Sequence, residues 1–155
     1  MNKFYGYYES PIGLIEIITD KNAVHGVRFV DKIQTETEHP PILKETMNQL
    51  DEYFHGRRKI FTVNLNLDGT EFQNKVWQAL MTIPYGTSMT YKEIAAQIGN
   101  EKASRAVGGA NNKNKLSILI PCHRVIGSNK KLVGYRWSVD RKEWLIQHEK
   151  GAVSK

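Results

Sequence analysis

The chain has one cysteine, Cys122, and it stands in Ile120-Pro121-Cys122-His123-Arg124-Val125, with an imidazole and a guanidinium directly behind it. A thiol attacks as its thiolate, a form that a nearby base or cation favours and apolar burial opposes. His123 is placed in sequence to take the thiol proton, and Arg124 to hold an anion. The same residues are compatible with an inert thiol, because a lone buried cysteine is usually a small hydrophobe and adjacency does not aim an imidazole at a sulfur. A base works best when a third group orients it. The best-placed carboxylate is Glu149, at the end of a helical stretch over 140–149, although spacing alone does not bring it to His123.

The elements that must hold these groups come next. Leu116-Ser117-Ile118-Leu119-Ile120 is an apolar run that predicts a buried strand, and Pro121 biases Ile120 toward an extended backbone. Upstream, Phe72, Val76, Leu80 and Ile83 mark one apolar helix face flanked by Trp77, and Pro84-Tyr85-Gly86 stops that helix. Thr90-Tyr91-Lys92-Glu93 has the form of a capping box and opens a second helix running to about Ile98. Gly99-Asn100 makes a turn, and a third helix follows from Glu101, giving a helix-turn-helix arrangement. The third helix reads Ala103-Ser104-Arg105-Ala106-Val107-Gly108-Gly109-Ala110. Each interior glycine costs about 1 kcal/mol relative to alanine, so the pair needs a reason. Tight packing against another helix is one. With Arg105 standing among small side chains, a smooth face lying shallowly in a DNA minor groove is the other.

Before Thr70 the pattern is different. Phe4–Tyr8, Gly13–Ile18 and Ala23–Val30 read as strands separated by Ser10-Pro11 and Asp20-Lys21-Asn22, and Phe61–Leu67 alternates like a fourth. Between them Leu43, Met47, Leu50 and Phe54 recur at helical spacing. No catalytic constellation is evident there. The expected fold class is therefore α+β: a strand-rich domain over 1–69 with one helix, then a mostly helical domain over 70–155 carrying the helix-turn-helix and Cys122.

Charge divides along the same boundary. Residues 1–69 hold 8 Lys and Arg against 10 Asp and Glu, whereas residues 70–155 hold 14 against 6, so the whole excess of +6 lies in the second part. A basic surface that meets a polyanion is one reading, and a solvated basic face the other. No apolar run approaches the roughly 20 residues of a membrane helix, the first residues lack the layout of a secretory signal, and one cysteine cannot make an internal disulfide. A cytoplasmic protein is expected, and a monomer, since no exposed apolar stripe is evident.

The motif around Cys122 resembles the active-site motif of the O6-alkylguanine-DNA alkyltransferases (methylated-DNA–protein-cysteine methyltransferases). Pro84-Tyr85-Gly86, Thr90-Tyr91, Ala103 to Ala110, Asn114, Gly134-Tyr135 and Lys142 to Glu149 stand in that family's order and spacing, so the likeness covers about residues 72–150. The resemblance implies repair of double-stranded DNA by irreversible transfer of an alkyl group from O6 of guanine to Cys122, once per molecule, after the nucleotide is flipped out through the minor groove. It implies His123 as base through a bridging water, Glu149 holding the imidazole, Asn114 bracing the turn, and Tyr91 hydrogen-bonding toward guanine N3. Arg105 would fill the gap in the stack. Thr90, Ala106, Gly108, Gly109, Arg124 and Arg136 would face DNA, and Tyr91, Val125, Tyr135, Arg136 and Trp137 would line the pocket. Thiolate attack on an alkyl carbon needs no metal and no cofactor, and the lone cysteine excludes the Cys-rich zinc site some members carry.

Where many members have small residues after Gly134-Tyr135, this chain has Arg136-Trp137-Ser138, which predicts a narrower pocket that favours methyl over benzyl adducts. Three other readings compete. A non-catalytic alkyltransferase-like lesion binder would carry tryptophan in place of Cys122. A helix-turn-helix transcription factor would need base-reading polar side chains, which Ala106 to Ala110 do not supply. A cysteine hydrolase would need an exposed nucleophile with an oxyanion hole.

Overall fold

The computed structural model describes residues 2–127 and 137–151, and its chain divides into two compact units. One comprises the chain through Leu67 together with Lys115–Leu119; the other takes up Asp68–Asn114 and resumes at Ile120. Five residues from the second part of the sequence, Lys115–Leu119, thus lie in the first unit.

In the first unit, β1 (Phe4–Ser10), β2 (Gly13–Thr19) and β3 (Val24–Val30) form an antiparallel meander in the order β1-β2-β3. The helix α1 (Pro41–Phe54) starts on a proline, whose missing N–H costs nothing at a helix start. Leu43 and Leu50 of α1 are buried with Ile15, Ile17, Val24 and Val27 of the sheet. A side chain at Gly6 would run into Met47 Sδ at 2.9 Å, so its smallness lets α1 lie against β1. Even Glu16 is buried, because the strand register sets it between Tyr7 and Arg28. Tyr7 donates to its Oε2 at 2.6 Å and Arg28 Nε to its Oε1 at 2.7 Å.

Two expected strands are absent as strands. The alternating stretch 61–67 makes a single parallel bridge, Leu65 to Val24. The apolar run 116–120 is buried but bends: Leu116 bridges to Val27, and Leu119 N–H then returns to Ser117 O at 2.8 Å around Ile118, whose φ is 73°. That is a γ-turn of the strained hand. Burial of the Ile118 side chain holds a β-branched residue where it would not otherwise rest.

The second unit is built on helices: α2 (Glu71–Leu80), α3 (Tyr91–Gln97), α4 (Ser104–Asn112) and α5 (Val139–Glu149). Capping boxes start α2 at Thr70 with Gln73 and α3 at Thr90 with Glu93. Trp77 donates its indole N–H to Ala110 O at 2.9 Å and so ties α2 to α4 in the interior. No described helix is long and apolar enough to cross a membrane.

Candidate active site

Pro121 sets the approach to the cysteine. Its φ of −78° and ψ of 64° make a second γ-turn, closed by Cys122 N–H to Ile120 O at 2.7 Å, and Cys122–Arg124 then form one 3-10 turn. Asn114 Nδ2 donates to the same Ile120 carbonyl at 2.9 Å, bracing the turn from the end of α4. Directly after it β5 (Val125–Ile126) runs parallel to β4 (Met89–Thr90), with Thr90 opposite Ile126. This two-residue ladder brings Tyr91, the first residue of α3, beside the cysteine turn. Burial and the charge of Cys122 both push the Tyr91 phenol upward from its ordinary range, so it stays protonated.

Cys122 is 3% exposed and His123 has no exposed surface. The His123 imidazole meets Glu149 through Nε2 and Oε2 at 2.6 Å. Glu149 is in turn gripped by Arg124: Nε to Oε1 at 2.8 Å and a terminal N–H to Oε2 at 3.0 Å. Gly86 N–H adds a longer contact to Oε1 at 3.3 Å, from a backbone with φ of 81° that only glycine adopts without strain. Burial by itself would raise the Glu149 carboxyl, but the charges and hydrogen bonds of His123 and Arg124 outweigh it and hold the group well below the usual carboxylate range. Burial likewise pushes the imidazole below its ordinary range, against the pull of Glu149, so His123 is neutral at pH 7.

These two facts assign the tautomer. A neutral imidazole facing an ionised carboxylate must carry its proton on Nε2, and Nδ1 then bears the lone pair. Nδ1 is buried and has no hydrogen-bond partner among the described residues. The arrangement can therefore accept a proton at Nδ1 and balance the resulting imidazolium with Glu149. Among the described residues no group of three or more His, Cys, Asp or Glu side chains is disposed to hold a metal ion.

Arg124 corrects an expectation. Read in sequence as a DNA contact, it is buried, and a further N–H goes to Ile83 O at 2.8 Å. A guanidinium so committed is not available to phosphate; it is the clamp on the orienting carboxylate. Arg105, Ala106 and Gly109 of α4 are exposed, and Gly108 is half-buried against Tyr91. A methyl group at Gly108 would lie 3.8 Å from Tyr91 Cε1, an ordinary contact, and one at Gly109 would meet nothing within 4 Å. Packing among the described residues does not require either glycine. Thr90 caps α3, Val125 is fully buried in β5, and Trp137 is half-buried with its carbonyl accepting from Arg141 at 3.1 Å. Tyr135 and Arg136 lie outside the described residues. Sequence reading missed Lys142, whose side chain is wholly buried on α5, since a helical lysine is ordinarily solvent-facing.

The family model for the DNA-binding domain of 6-O-methylguanine DNA methyltransferase matches residues 71–151, and that for the ribonuclease-like domain of the same family matches 3–67. The methylated-DNA–protein-cysteine methyltransferase of Methanosarcina acetivorans is 48% identical over 152 residues, covering 94% of this chain and 97% of that protein. The constitutive one of Bacillus subtilis is 43% identical over 157 residues, covering 95% of each. A crystal structure of the Mycobacterium tuberculosis enzyme in complex with DNA superposes with a TM-score of 0.88 at 41% identity, over 96% of this chain and 94% of that one. Sequence, fold and the lone cysteine beside an oriented imidazole agree, and the chain belongs to the 6-O-methylguanine DNA methyltransferase family.

Proposed function

We propose that this protein repairs double-stranded DNA by moving an alkyl group, chiefly methyl, from O6 of guanine to Cys122, each molecule acting once. The alkyl carbon is out of reach inside a duplex, so the nucleotide is flipped out at a cost of a few kcal/mol. The Cys122 thiol proton passes to His123 Nδ1, through a bridging water. The sulfur's electron pair forms the S–C bond as the C–O6 bond breaks, and its electrons stay on guanine. Tyr91, hydrogen-bonded toward N3, lets the base leave neutral, and the proton lost by the thiol ends on guanine by way of solvent. The product is a thioether, which no group in the chain can cleave, so one turnover follows from the chemistry.

In the same reading α4 enters the minor groove as a monomer. Arg105 takes the place of the flipped nucleotide, Thr90, Ala106, Gly108 and Gly109 lie along the DNA, and Val125, Tyr135, Arg136 and Trp137 border the pocket. What supports the DNA face is the pair of glycines that no internal contact demands. What carries the chemistry is the His123 imidazole, held through Nε2 by a clamped Glu149, with Nδ1 left to accept a proton next to the lone cysteine. Intact-protein mass spectrometry after incubation with O6-methylguanine duplex tests it. The expected result is a gain of one methylene mass per molecule, absent in Cys122→Ala; an unchanged mass overturns the reading.

A further inference from the structure

Among the described residues Lys142 is the lysine with no exposed surface, and the steps above make no use of it. An ammonium is almost never buried without an opposite charge to meet. Lys142 and Glu149 are seven residues apart on α5, two turns of one helix face, so the element that supplies the carboxylate for His123 turns this side chain the same way. Lys142 Nζ lies 6.0 Å from the centre of the Tyr91 ring. Burial lowers the ammonium to about 8, and the charge that works against that fall is the one on Cys122. The groups around Lys142 include Cys122 and His123 from the 3-10 turn, against which α5 packs, and Tyr91 from α3.

When the thiol proton moves to His123, an anion and a cation appear side by side. Glu149, itself clamped by Arg124, faces the cation. We propose that Lys142 is the positioning residue for the anion, its ammonium steadying the Cys122 thiolate until the sulfur attacks. Charges then alternate along the site as Lys142 (+), Cys122 (−), His123 (+), Glu149 (−), Arg124 (+), each beside its opposite. Without Lys142 the thiolate end of this row loses that cation, and one of the like charges that discourage His123 from keeping the proton is gone. The role deepens the transfer reading and rests on it only for the attack; the effect on the thiol exists without DNA.

The test follows the thiol directly. Because the chain has one cysteine, 13Cβ-cysteine labelling gives a single resonance whose shift titrates with the thiol. Lys142→Met should move that titration upward by about one unit or more, a tenfold loss of thiolate at fixed pH below it, and slow single-turnover methyl transfer at pH 7 by a similar factor. Lys142→Arg, which keeps the charge, should hold the titration near that of the parent. An unmoved titration in folded Lys142→Met, or an equal shift in Lys142→Arg, overturns the proposal. Should the Met variant fail to fold, the reciprocal experiment decides: in Cys122→Ala the ammonium of Lys142, read by 13Cε-lysine labelling, should titrate at lower pH than in the parent, and no shift overturns the proposal. Failure of the repair reading shows separately, as a parent protein that takes no methyl group from DNA.

Discussion

In the proposed transfer three side chains govern the Cys122 sulfur, and they are held by one another. Glu149 selects the His123 tautomer, and Arg124 keeps Glu149 ionised in a buried place. Glu149→Gln removes the carboxylate that balances an imidazolium, so single-turnover transfer should fall by roughly 100-fold, the scale of a lost general base. It also leaves Arg124 without its counter-charge, which at about 3–5 kcal/mol should show as a large drop in melting temperature. A parental transfer rate in the Glu149→Gln variant would contradict the role. Acid should act through the same pair. Folded His123 takes up its proton only below the ordinary range, whereas the unfolded chain takes one up near the ordinary 6.5. Folded Glu149 stays ionised, whereas the unfolded chain protonates it near 4.5. In both windows the unfolded state binds more protons, so stability falls as pH falls. Melting temperatures should decline from about pH 6.5 and more steeply below about pH 4.5; a flat profile down to pH 4 would contradict the burial argument.

At the scale of elements, α4 carries a cost that the fold does not ask for. Gly109→Ala places a methyl group in open space and removes a helix-breaking residue, so the free protein should gain up to about 1 kcal/mol. Binding to duplex DNA, measured by fluorescence anisotropy, should weaken in the same variant, because the methyl group now stands between backbone and groove. Stability and affinity gained together would place the DNA face elsewhere. The helices were legible in sequence because their signals are local: Thr90 with Glu93 starts α3, and Pro84-Tyr85-Gly86 follows α2. The run 116–120 was not, since a short, mostly apolar run looks alike as a strand or as a buried bend, and the γ-turn at Ile118 is imposed by tertiary packing. Cys122 and His123 could be picked out from residue type, and Glu149 as their candidate partner. The inward turn of Arg124 and Lys142 could not, because both belong to a class that ordinarily faces water and only the folded chain says otherwise.

For the molecule as a whole, the two units answer different needs. The first holds its own sheet and helix with a buried Glu16 between Tyr7 and Arg28, while the second carries most of the excess positive charge and Cys122. With Arg136-Trp137 read from the sequence as narrowing the pocket, methyl transfer is expected to outpace benzyl transfer, and equal rates on matched oligonucleotides would count against that reading. The central claim is that the protein is itself the acceptor. Adding increasing excess of O6-methylguanine duplex and counting repaired guanines by nucleoside chromatography tests it most directly. Repair should stop at one guanine per protein molecule, with the methyl group on the peptide that contains Cys122; repair that continues past one equivalent, or a methyl group on any other residue, would contradict it.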